Sequence, residues 1–407
     1  MKTIQIKFNP LFALLLVGSI FTSCSSDDDT LDDTGTNPPQ ENNQAILLDC
    51  DSFQANNADA ILLLEDLNDE VDYIINCVTV VQVDLKIEPG VVIQFTDGAG
   101  MKIRESGSLN AVGTENKPIA FSSAAQVKGA WKGIISDSEK IKNRFDYVTI
   151  EYAGAGNLGA ATQLGSLIFT PNAYYRLNNV TIRNGLNYGL FSNNYDYDAE
   201  INDCIITNCD VPMFVDTNIL STISGGDFTG NTTDVIRLNG GSTGTVDASH
   251  TWKDLGIPYR VAEDIIIKDG AKLTLEPGVI LEFEDTKGMT IDKLFDEGSA
   301  LIAVGTPTNP IVFTGVTKSP GAWKSIFCYR STSVQNKMEN VLIEYAGGAG
   351  ADGAIEFWTE PVLNVSSSTF KDIAACAVFN HGDEDNPNFS ESNNTTDNVS
   401  GGYICHD

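Results

Sequence analysis

The stretch Glu88-Pro89-Gly90-Val91-Val92-Ile93-Gln94-Phe95 decides the fold of this chain, because its first four residues recur literally as Glu276-Pro277-Gly278-Val279. The two copies lie 188 residues apart, since 276 − 88 = 188. Pro and Gly are typical of a tight turn, and the alternating apolar residues after them are typical of a strand. The sequence therefore predicts an internal repeat whose strands begin directly after turns.

Further literal matches extend the repeat over most of the chain. At offsets of 192, 192 and 193 residues, the matching pairs are Ala111-Val112-Gly113-Thr114 with residues 303–306, Gly129-Ala130-Trp131-Lys132 with residues 321–324, and Ile150-Glu151-Tyr152-Ala153-Gly154 with residues 343–347. Asn231-Thr232-Thr233-Asp234 returns at residues 394–397, an offset of only 163. We therefore predict a first module at residues 78–260 and a shortened second module at 261–407, with residues 251–258 as a linking excursion.

Within each copy, apolar and polar residues alternate over short runs that are closely followed by Gly, Asn, Asp or Pro. This pattern is typical of many short, half-buried strands. Residues 58–67 alone keep a helical period for more than about two turns, and they predict a short helix. Short strands at this spacing fit a sandwich, a propeller or a β-helix.

The order of motifs favours the β-helix. The series Pro-Gly-Val-x-Ile-x-Phe, Gly-x-Leu-x-Ala-x-Gly-Thr, Pro-Ile-x-Phe, Trp-Lys and Ile-Glu-Tyr-Ala-Gly resembles the right-handed parallel β-helix proteins of the pectin-lyase-like superfold, especially repeat-bearing cell-surface members in the Bacteroidetes. The resemblance covers residues 78–407 and implies an all-β, right-handed parallel β-helix solenoid built from a duplicated module. We expect about 13–15 coils stacked about 4.8 Å apart, with residues 45–77 as a small N-terminal cap.

The N-terminus has the features of an exported lipoprotein. Lys2 and Lys7 precede an apolar run at residues 11–21 that is too short to span a bilayer, so residues 1–23 predict a signal peptide. Phe21-Thr22-Ser23-Cys24 resembles a lipobox, which implies lipidation of Cys24. Residues 24–44 are acidic and polar and predict a solvated tether.

Residues 25–29, Ser-Ser-Asp-Asp-Asp, resemble the export signal of Bacteroidetes surface lipoproteins. We therefore expect a surface-exposed outer-membrane lipoprotein of a Gram-negative bacterium. The net charge of −30 at pH 7 excludes nucleic acid as a default partner and disfavours adhesion to an anionic bilayer, so membrane contact should pass only through the lipid.

Seven of the eight cysteines remain after Cys24, and an exported protein meets an oxidising compartment. The pairings that we expect are Cys50–Cys77, Cys204–Cys209 and Cys376–Cys405, which leaves Cys328 as a buried thiol. No Cys-x₂-Cys spacing occurs, so we expect no zinc site.

Residues present in only one copy are free to carry a site, whereas Trp131 and Trp323, which recur, should be structural. The aromatic candidates for stacking on sugar rings are Tyr174, Tyr175, Tyr188, Tyr195, Tyr197 and Trp358. Trp358 qualifies because Thr170 stands at the equivalent position of the first copy. An acidic loop, Asp383-Glu384-Asp385, could bind Ca²⁺, and no other cofactor is expected.

The motifs of the catalytic β-helix families are missing from the sequence. The combination of a paired Asp, a Gly-His-Gly and an Arg-Ile-Lys element that polygalacturonases carry does not occur, and no basic residue stands beside an acid cage of the lyase type. The sequence therefore favours a non-catalytic cell-surface lipoprotein that binds a glycan or another surface macromolecule, such as a protein. The alternatives are a polysaccharide lyase or glycoside hydrolase, and an architectural stalk or adhesin.

The lipobox interpretation predicts that Cys24→Ser releases the protein in soluble form, because lipid chains supply about 0.8 kcal/mol per buried CH₂ and an anionic bilayer would repel the acidic body. The measurement is fractionation of membranes and supernatant, with Ser23→Ala as the control that keeps the cysteine. Membrane retention of the Cys24→Ser variant would contradict the interpretation.

Overall fold

The computed structural model describes residues 45–53, 61–158, 164–193, 199–239, 244–291, 298–382 and 385–407, together with a strand at Thr3–Ile4. Strands dominate these residues, and one 3₁₀ turn lies at Ile219–Thr222. Among the described residues, no helix has the length and hydrophobicity that crossing a bilayer requires.

The strands, in chain order, are β1 (Thr3–Ile4), β2 (Ile46–Leu48), β3 (Ile61–Leu64), β4 (Tyr73–Ile75), β5 (Val78–Val81), β6 (Asp84–Ile87), β7 (Val92–Phe95), β8 (Gly100–Ile103), β9 (Ser108–Val112), β10 (Ile119–Ser122), β11 (Ile134–Ser136), β12 (Arg144–Asp146), β13 (Val148–Glu151), β14 (Gly165–Phe169), β15 (Tyr175–Asn178), β16 (Thr181–Arg183), β17 (Tyr188–Ser192), β18 (Ala199–Asn202), β19 (Ile205–Thr207), β20 (Val211–Asp216), β21 (Ile223–Ser224), β22 (Ile236–Asn239), β23 (Thr245–Val246), β24 (His250–Trp252), β25 (Tyr259–Val261), β26 (Ile265–Ile267), β27 (Lys272–Leu275), β28 (Ile280–Phe283), β29 (Met289–Ile291), β30 (Ala300–Val304), β31 (Ile311–Gly315), β32 (Ile326–Cys328), β33 (Lys337–Glu339), β34 (Val341–Glu344), β35 (Gly353–Trp358), β36 (Leu363–Ser366), β37 (Thr369–Ile373), β38 (Cys376–His381), β39 (Phe389–Ser392), β40 (Thr395–Val399) and β41 (Ile404–His406).

Successive coils stack in parallel, and the strands of each coil belong to three different sheets. Sheet A runs from β1 through β3, β6, β9, β12, β15 and β18 to β21, and sheet B runs from β2 through β4, β7, β10, β13 and β16 to β19. Sheet C has 13 strands and continues from β5 to β40. In the second half, sheet D (β23, β26, β29, β32, β35, β38, β41) and sheet E (β24, β27, β30, β33, β36, β39) complete the coils.

This architecture is the predicted all-β, right-handed parallel β-solenoid. The 13 strands of sheet C correspond to about 13 coils, and 12 steps of about 4.8 Å give a stack about 58 Å long. The coil number therefore agrees with the lower end of the expected range.

The core is a set of inward-facing ladders. In sheet B, for example, Ile93 pairs with Phe121, Phe121 with Ile150, and Ile150 with Ile182. All four side chains are at most 1% exposed. Alternation along each short strand therefore places apolar residues inside and leaves the intervening positions on the outer surface.

Polar side chains stack at the corners between sheets. Asn202 Nδ2 donates to Asn178 Oδ1 at 2.9 Å, and Asn208 Nδ2 donates to Asn184 Oδ1 at 2.6 Å. Asn184 and Asn208 have φ values of 56° and 52°, in the left-handed region that asparagine tolerates better than most residues. This explains why asparagine so often follows a strand in the sequence.

The Glu-Pro-Gly turns are shaped by their glycines. Gly90 and Gly278 have φ values of 98° and 95°, and a Cβ atom at either position would come within 2.7 Å of Asp66 Oδ2 or 2.4 Å of Asp254 Oδ2, respectively. Only glycine meets both the backbone angle and the close approach of the carboxylate.

The repeated tryptophans lie in matching core environments. Trp131 stacks on Phe95 with ring centroids 4.0 Å apart, and Trp323 stacks on Phe283 at 4.3 Å. The Nε1 of Trp131 donates to the carbonyl oxygen of Glu151 at 2.8 Å, and Trp323 Nε1 donates to that of Glu344 at 2.6 Å. Both rings thus tie one coil to the next.

Sheet C runs through both halves of the chain, but the repeated motifs that contribute its strands differ between the two halves. The strand after the first Glu-Pro-Gly turn, β7, lies in sheet B, whereas the strand after the second one, β28, lies in sheet C. The change occurs where β20, β22 and β25 pair in sequence, just after sheets A and B end.

Two local expectations were wrong. Ile61–Leu64, inside the predicted helix, forms β3, because its backbone groups pair with those of β6, and Leu62 and Leu64 are buried while Leu63 between them is half-buried. Residues 251 and 252, predicted to belong to an excursion, lie in β24, and Trp252 is completely buried. Its ring meets that of Tyr259 at 5.9 Å, edge to face.

Two of the three expected disulfides, Cys50–Cys77 and Cys376–Cys405, are bonded in the structure. The expected Cys204–Cys209 bond was wrong: both residues are buried free thiols. They flank the extended strand β19, which at about 3.3 Å per residue separates them beyond disulfide reach. Cys328 is a buried thiol, as expected.

The buried tryptophan of the second half predicts a large stability effect. Trp323→Ala should lower the free energy of unfolding by about 3–5 kcal/mol, because it empties a large core volume. Trp358→Ala is the matched control, since Trp358 is 44% exposed, and should cost less than about 1 kcal/mol. Urea unfolding followed by circular dichroism measures both, and equal losses would contradict the described core.

Candidate functional site

The strongest candidate site lies on the outer surface of sheet D, where β32, β35 and β38 run side by side. Phe327 pairs with Glu356, and Glu356 pairs with Phe379, so all three side chains lie on the outer face of the sheet. Two residues further along, Trp358 pairs with His381. We call this surface the sheet D patch and define it by Phe327, Tyr329, Glu356, Trp358, Phe379 and His381.

Trp358 differs from the other tryptophans of the chain. Trp131, Trp252 and Trp323 are 0% exposed, whereas Trp358 is 44% exposed. Its ring centroid lies 5.3 Å from that of His381. A large aromatic ring at a solvent-facing strand position adds little to the core and is available to a ligand.

Other rings surround His381. Its ring centroid is 4.8 Å from that of Phe379 and 6.4 Å from that of Phe327. Phe327 in turn lies 6.0 Å from Tyr329, over whose ring the Arg330 guanidinium is placed at 5.6 Å. The patch therefore presents a half-buried aromatic floor around an imidazole.

A buried carboxylate lies beside this imidazole. His381 Nε2 and Glu356 Oε2 are 3.2 Å apart, and Ser325 Oγ donates to Glu356 Oε1 at 2.5 Å. The backbone N–H of Asp352 approaches Glu356 Oε2 at 3.4 Å. The Glu356 side chain is only 7% exposed although it faces away from the core. Packing and hydrogen bonds therefore fix its position.

The partner of Glu356 sets it apart from comparable acids. Glu151 pairs with Arg183 at 3.1 Å, Glu282 with Arg260 at 2.7 Å, and Glu344 with Lys371 at 3.3 Å. Among the described residues, the ion-pair partner of Glu356 is a histidine instead. This carboxylate thus faces a group that can also act as a metal ligand or move a proton.

The predicted aromatic ligand residues do not form one surface. Tyr175 was wrong as a candidate: it is completely buried, stacks on Phe169 at 3.7 Å and contacts Ser192 Oγ at 2.9 Å through its hydroxyl. Its neighbour Tyr174 is half-buried on the outer side of the coil, and the centroid of its ring lies 5.8 Å from the Arg176 guanidinium.

Tyr188 packs on the outer surface of sheet C, with its ring 5.8 Å from Phe191 and 5.5 Å from Phe214. Trp358 follows β34, which is seven strands beyond β14 in sheet C, so it lies about 34 Å along the stack from Tyr174. Tyr195 and Tyr197 lie outside the described residues.

The predicted calcium loop is described only at its end. Asp383 and Glu384 lie outside the described residues, while the exposed Asp385 has an oxygen 3.0 Å from His406 Nε2. Cys24 and the remainder of residues 5–44 also lie outside the described part of the chain.

Sequence reasoning missed Ser325, Asp352 and Glu356, and it gave His381 no ligand role. A difference between the two halves could have found three of these four residues. Ser325, Glu356 and His381 are polar, and the residues at the equivalent positions of the first half are Gly133, Ile168 and Asn193. Ile168 belongs to an apolar cluster on the outer surface of sheet C with Ile135, Leu158 and Phe191. The fold therefore does not need polar groups at these positions.

Comparison with known proteins supports the fold and leaves the chemistry open. Residues 244–356 match the family described as a pectate-lyase-like β-helix domain, a little over a quarter of the chain. The matched segment includes Ser325, Asp352 and Glu356 and ends before Trp358 and His381.

The chain is also 49% identical over 55 residues to Protein bark beetle of Drosophila melanogaster. That match covers 14% of this chain and 2% of the fly protein. No solved structure matches the chain.

Asp216 is a perturbed acid away from the patch. It lies at the end of β20, where Asn218 N donates to Oδ1 at 3.1 Å, while Oδ2 is buried without a hydrogen-bond partner. Burial raises the pKa of Asp216 from 3.8 to about 7. It lies beside the junction of the two halves and faces no described cavity, which favours a structural role.

This shift predicts a pH-dependent stability. The folded state holds the Asp216 proton more tightly than the unfolded state does. The stability that protonated Asp216 contributes is therefore fully present below about pH 4 and is lost as pH rises to about 7. Asp216→Asn should therefore stabilise the protein at about pH 8 by up to about 4 kcal/mol and should have little effect near pH 4.

The measurement is urea unfolding of both proteins across this pH range. Asp385→Asn is the control, because its side chain is 87% exposed and should give no such difference. A difference between wild type and Asp216→Asn that does not depend on pH would contradict the assignment.

Proposed function

We propose that this protein is a non-catalytic, surface-anchored β-solenoid that binds a glycan through the sheet D patch. The observation that carries the proposal is Trp358, a 44% exposed tryptophan in a chain whose other three are completely buried. Sugar rings stack on such aromatic surfaces through their C–H faces, while neighbouring polar groups bind the hydroxyls. Glu356 and His381 provide those groups beside the ring.

The charge of the chain narrows the class of glycan. At −30, the protein repels polyanions, so the proposal favours a neutral or cationic polysaccharide over a polyuronate. Within the patch, the carboxylate of Glu356 can accept hydrogen bonds from sugar hydroxyl groups, whereas it would repel the carboxylates of a polyuronate.

The proposal includes the predicted anchoring and organisation. We propose residues 1–23 as a signal peptide, Cys24 as the lipid attachment site and residues 24–44 as a tether, as in outer-membrane lipoproteins of the Bacteroidetes. The acidic stretch after Cys24 and the basic residues before the apolar run support this.

We further propose that residues 78–260 and 261–407 arose by duplication, with residues 45–77 at the N-terminal end. The matching environments of Trp131 and Trp323 support the duplication, as does the shared φ of 62° at Tyr152 and Tyr345.

Glycan binding predicts that Trp358→Ala weakens affinity for the bound polysaccharide by about tenfold or more, because a lost stacking surface costs about 1.4 kcal/mol. The assay is native electrophoresis of the mature protein through gels cast with neutral, cationic and anionic polysaccharides. Tyr174→Ala is the matched control, since Tyr174 lies about 34 Å away along the stack.

Equal retardation of Trp358→Ala and wild type would reject the patch as the binding site. Unretarded migration of the wild type in every gel would favour a stalk or a protein-binding role. A cleared zone would instead show a polysaccharide lyase or hydrolase, with Glu356 and His381 as its first candidates.

A further inference from the structure

We propose that Asp352, Glu356 and His381 form a binding site for Zn²⁺ or a chemically similar divalent transition metal. The three residues can each offer one ligand atom, and these atoms lie within 4.8 Å of one another. Glu356 and His381 come from neighbouring strands of sheet D, and Asp352 comes from the loop just before β35. The proposal does not depend on glycan binding.

The spacing of the two best-ordered donors fits a metal. His381 Nε2 and Glu356 Oε2 are 3.2 Å apart. Two ligands at about 2.0–2.1 Å from a tetrahedral Zn²⁺ are separated by about 3.3 Å. A metal can thus replace the direct contact between these atoms without moving either strand, and the exposed Asp352 side chain can close the third position.

The chemistry of the donors selects the class of ion. One imidazole nitrogen and two carboxylates suit Zn²⁺ and its neighbours in the first transition row. Ca²⁺ takes six to eight oxygen ligands at about 2.3–2.6 Å, which three side chains including a histidine do not supply. This site therefore differs in place and in metal from the predicted calcium loop.

Groups behind the ligands hold them in place. Ser325 Oγ donates to Glu356 Oε1 at 2.5 Å, which leaves Oε2 directed at His381. His381 Nδ1 lies 3.8 Å from Asp407 Oδ2, so a carboxylate faces the ring nitrogen that would not bind the metal. Carboxylates behind metal-binding histidines help to orient the imidazole ring.

The local charge also calls for a cation. Two of the three donors are carboxylates, and a divalent ion compensates the negative charge that carboxylates carry. Within the described part of the chain, Asp352 and Glu356 form no ion pair with Lys or Arg. The positions of the first half that are equivalent to Glu356 and His381, 188 residues earlier, hold Ile168 and Asn193. The shared fold therefore does not require the carboxylate of Glu356 or the imidazole of His381.

The test uses tag-free mature protein and Zn²⁺ in isothermal titration calorimetry, repeated with Ca²⁺. We expect one saturable Zn²⁺ site per chain and no matching Ca²⁺ site. Glu356→Gln and His381→Gln should each weaken Zn²⁺ binding at least about tenfold. Glu356→Gln keeps an oxygen that can accept from Ser325, which favours correct folding.

His406→Gln is the matched control, because His406 is on the next strand of sheet D and pairs with Asp385 outside the proposed site. Its Zn²⁺ affinity should equal that of wild type. Circular dichroism checks the fold of every variant, and Asp352→Asn, whose side chain is exposed, replaces any variant that does not fold.

Location is checked with Co²⁺, which quenches nearby indole fluorescence. Trp358 lies 5.3 Å from His381, so quenching should disappear in Trp358→Phe while Zn²⁺ affinity stays. The proposal is overturned if wild type shows no saturable Zn²⁺ binding. It is equally overturned if the Gln variants bind as wild type does, or if His406→Gln loses the site.

Discussion

The parallel backbone ladder between successive coils is the constraint on which the rest of this structure depends. Each strand gives its N–H and C=O groups to the coils above and below, so a residue facing inward must stack on its equivalent about 4.8 Å away. Ile93, Phe121, Ile150 and Ile182 show this order in sheet B. Once the ladder is satisfied, the outward positions are released from packing and can differ from coil to coil.

This constraint explains how much of the fold the sequence predicts. Short alternating runs, turns rich in Asn and Gly, and literal repeats at offsets of 188–193 indicate a parallel solenoid directly. Which residues of a strand face inward is harder to predict, because a shift of one residue exchanges the inner and outer faces. Tyr174 and Tyr175 are adjacent, yet one is half-buried outside and the other is completely buried.

The site is harder still, since its parts meet only through register. Glu356 and His381 are 25 residues apart in the sequence, and Ser325 is 31 residues before Glu356. Loop lengths differ between coils, so the chain does not reveal which of its many acids pairs with which histidine. Trp358 could be found because a single position differs between the repeats, whereas the Glu356–His381 contact requires the pairing of β35 with β38.

Equivalent strands of the two halves lie in different sheets, because the strand after the first Glu-Pro-Gly turn is in sheet B and the strand after the second is in sheet C. Three sheets enclose each coil, so moving the repeat by one sheet turns the second half by about a third of a revolution relative to the first. The apolar cluster around Ile168 and the sheet D patch occupy corresponding positions in their halves, yet they look out on different sides of the rod. A partner bound to one of these surfaces would therefore approach the rod from a different direction than a partner bound to the other.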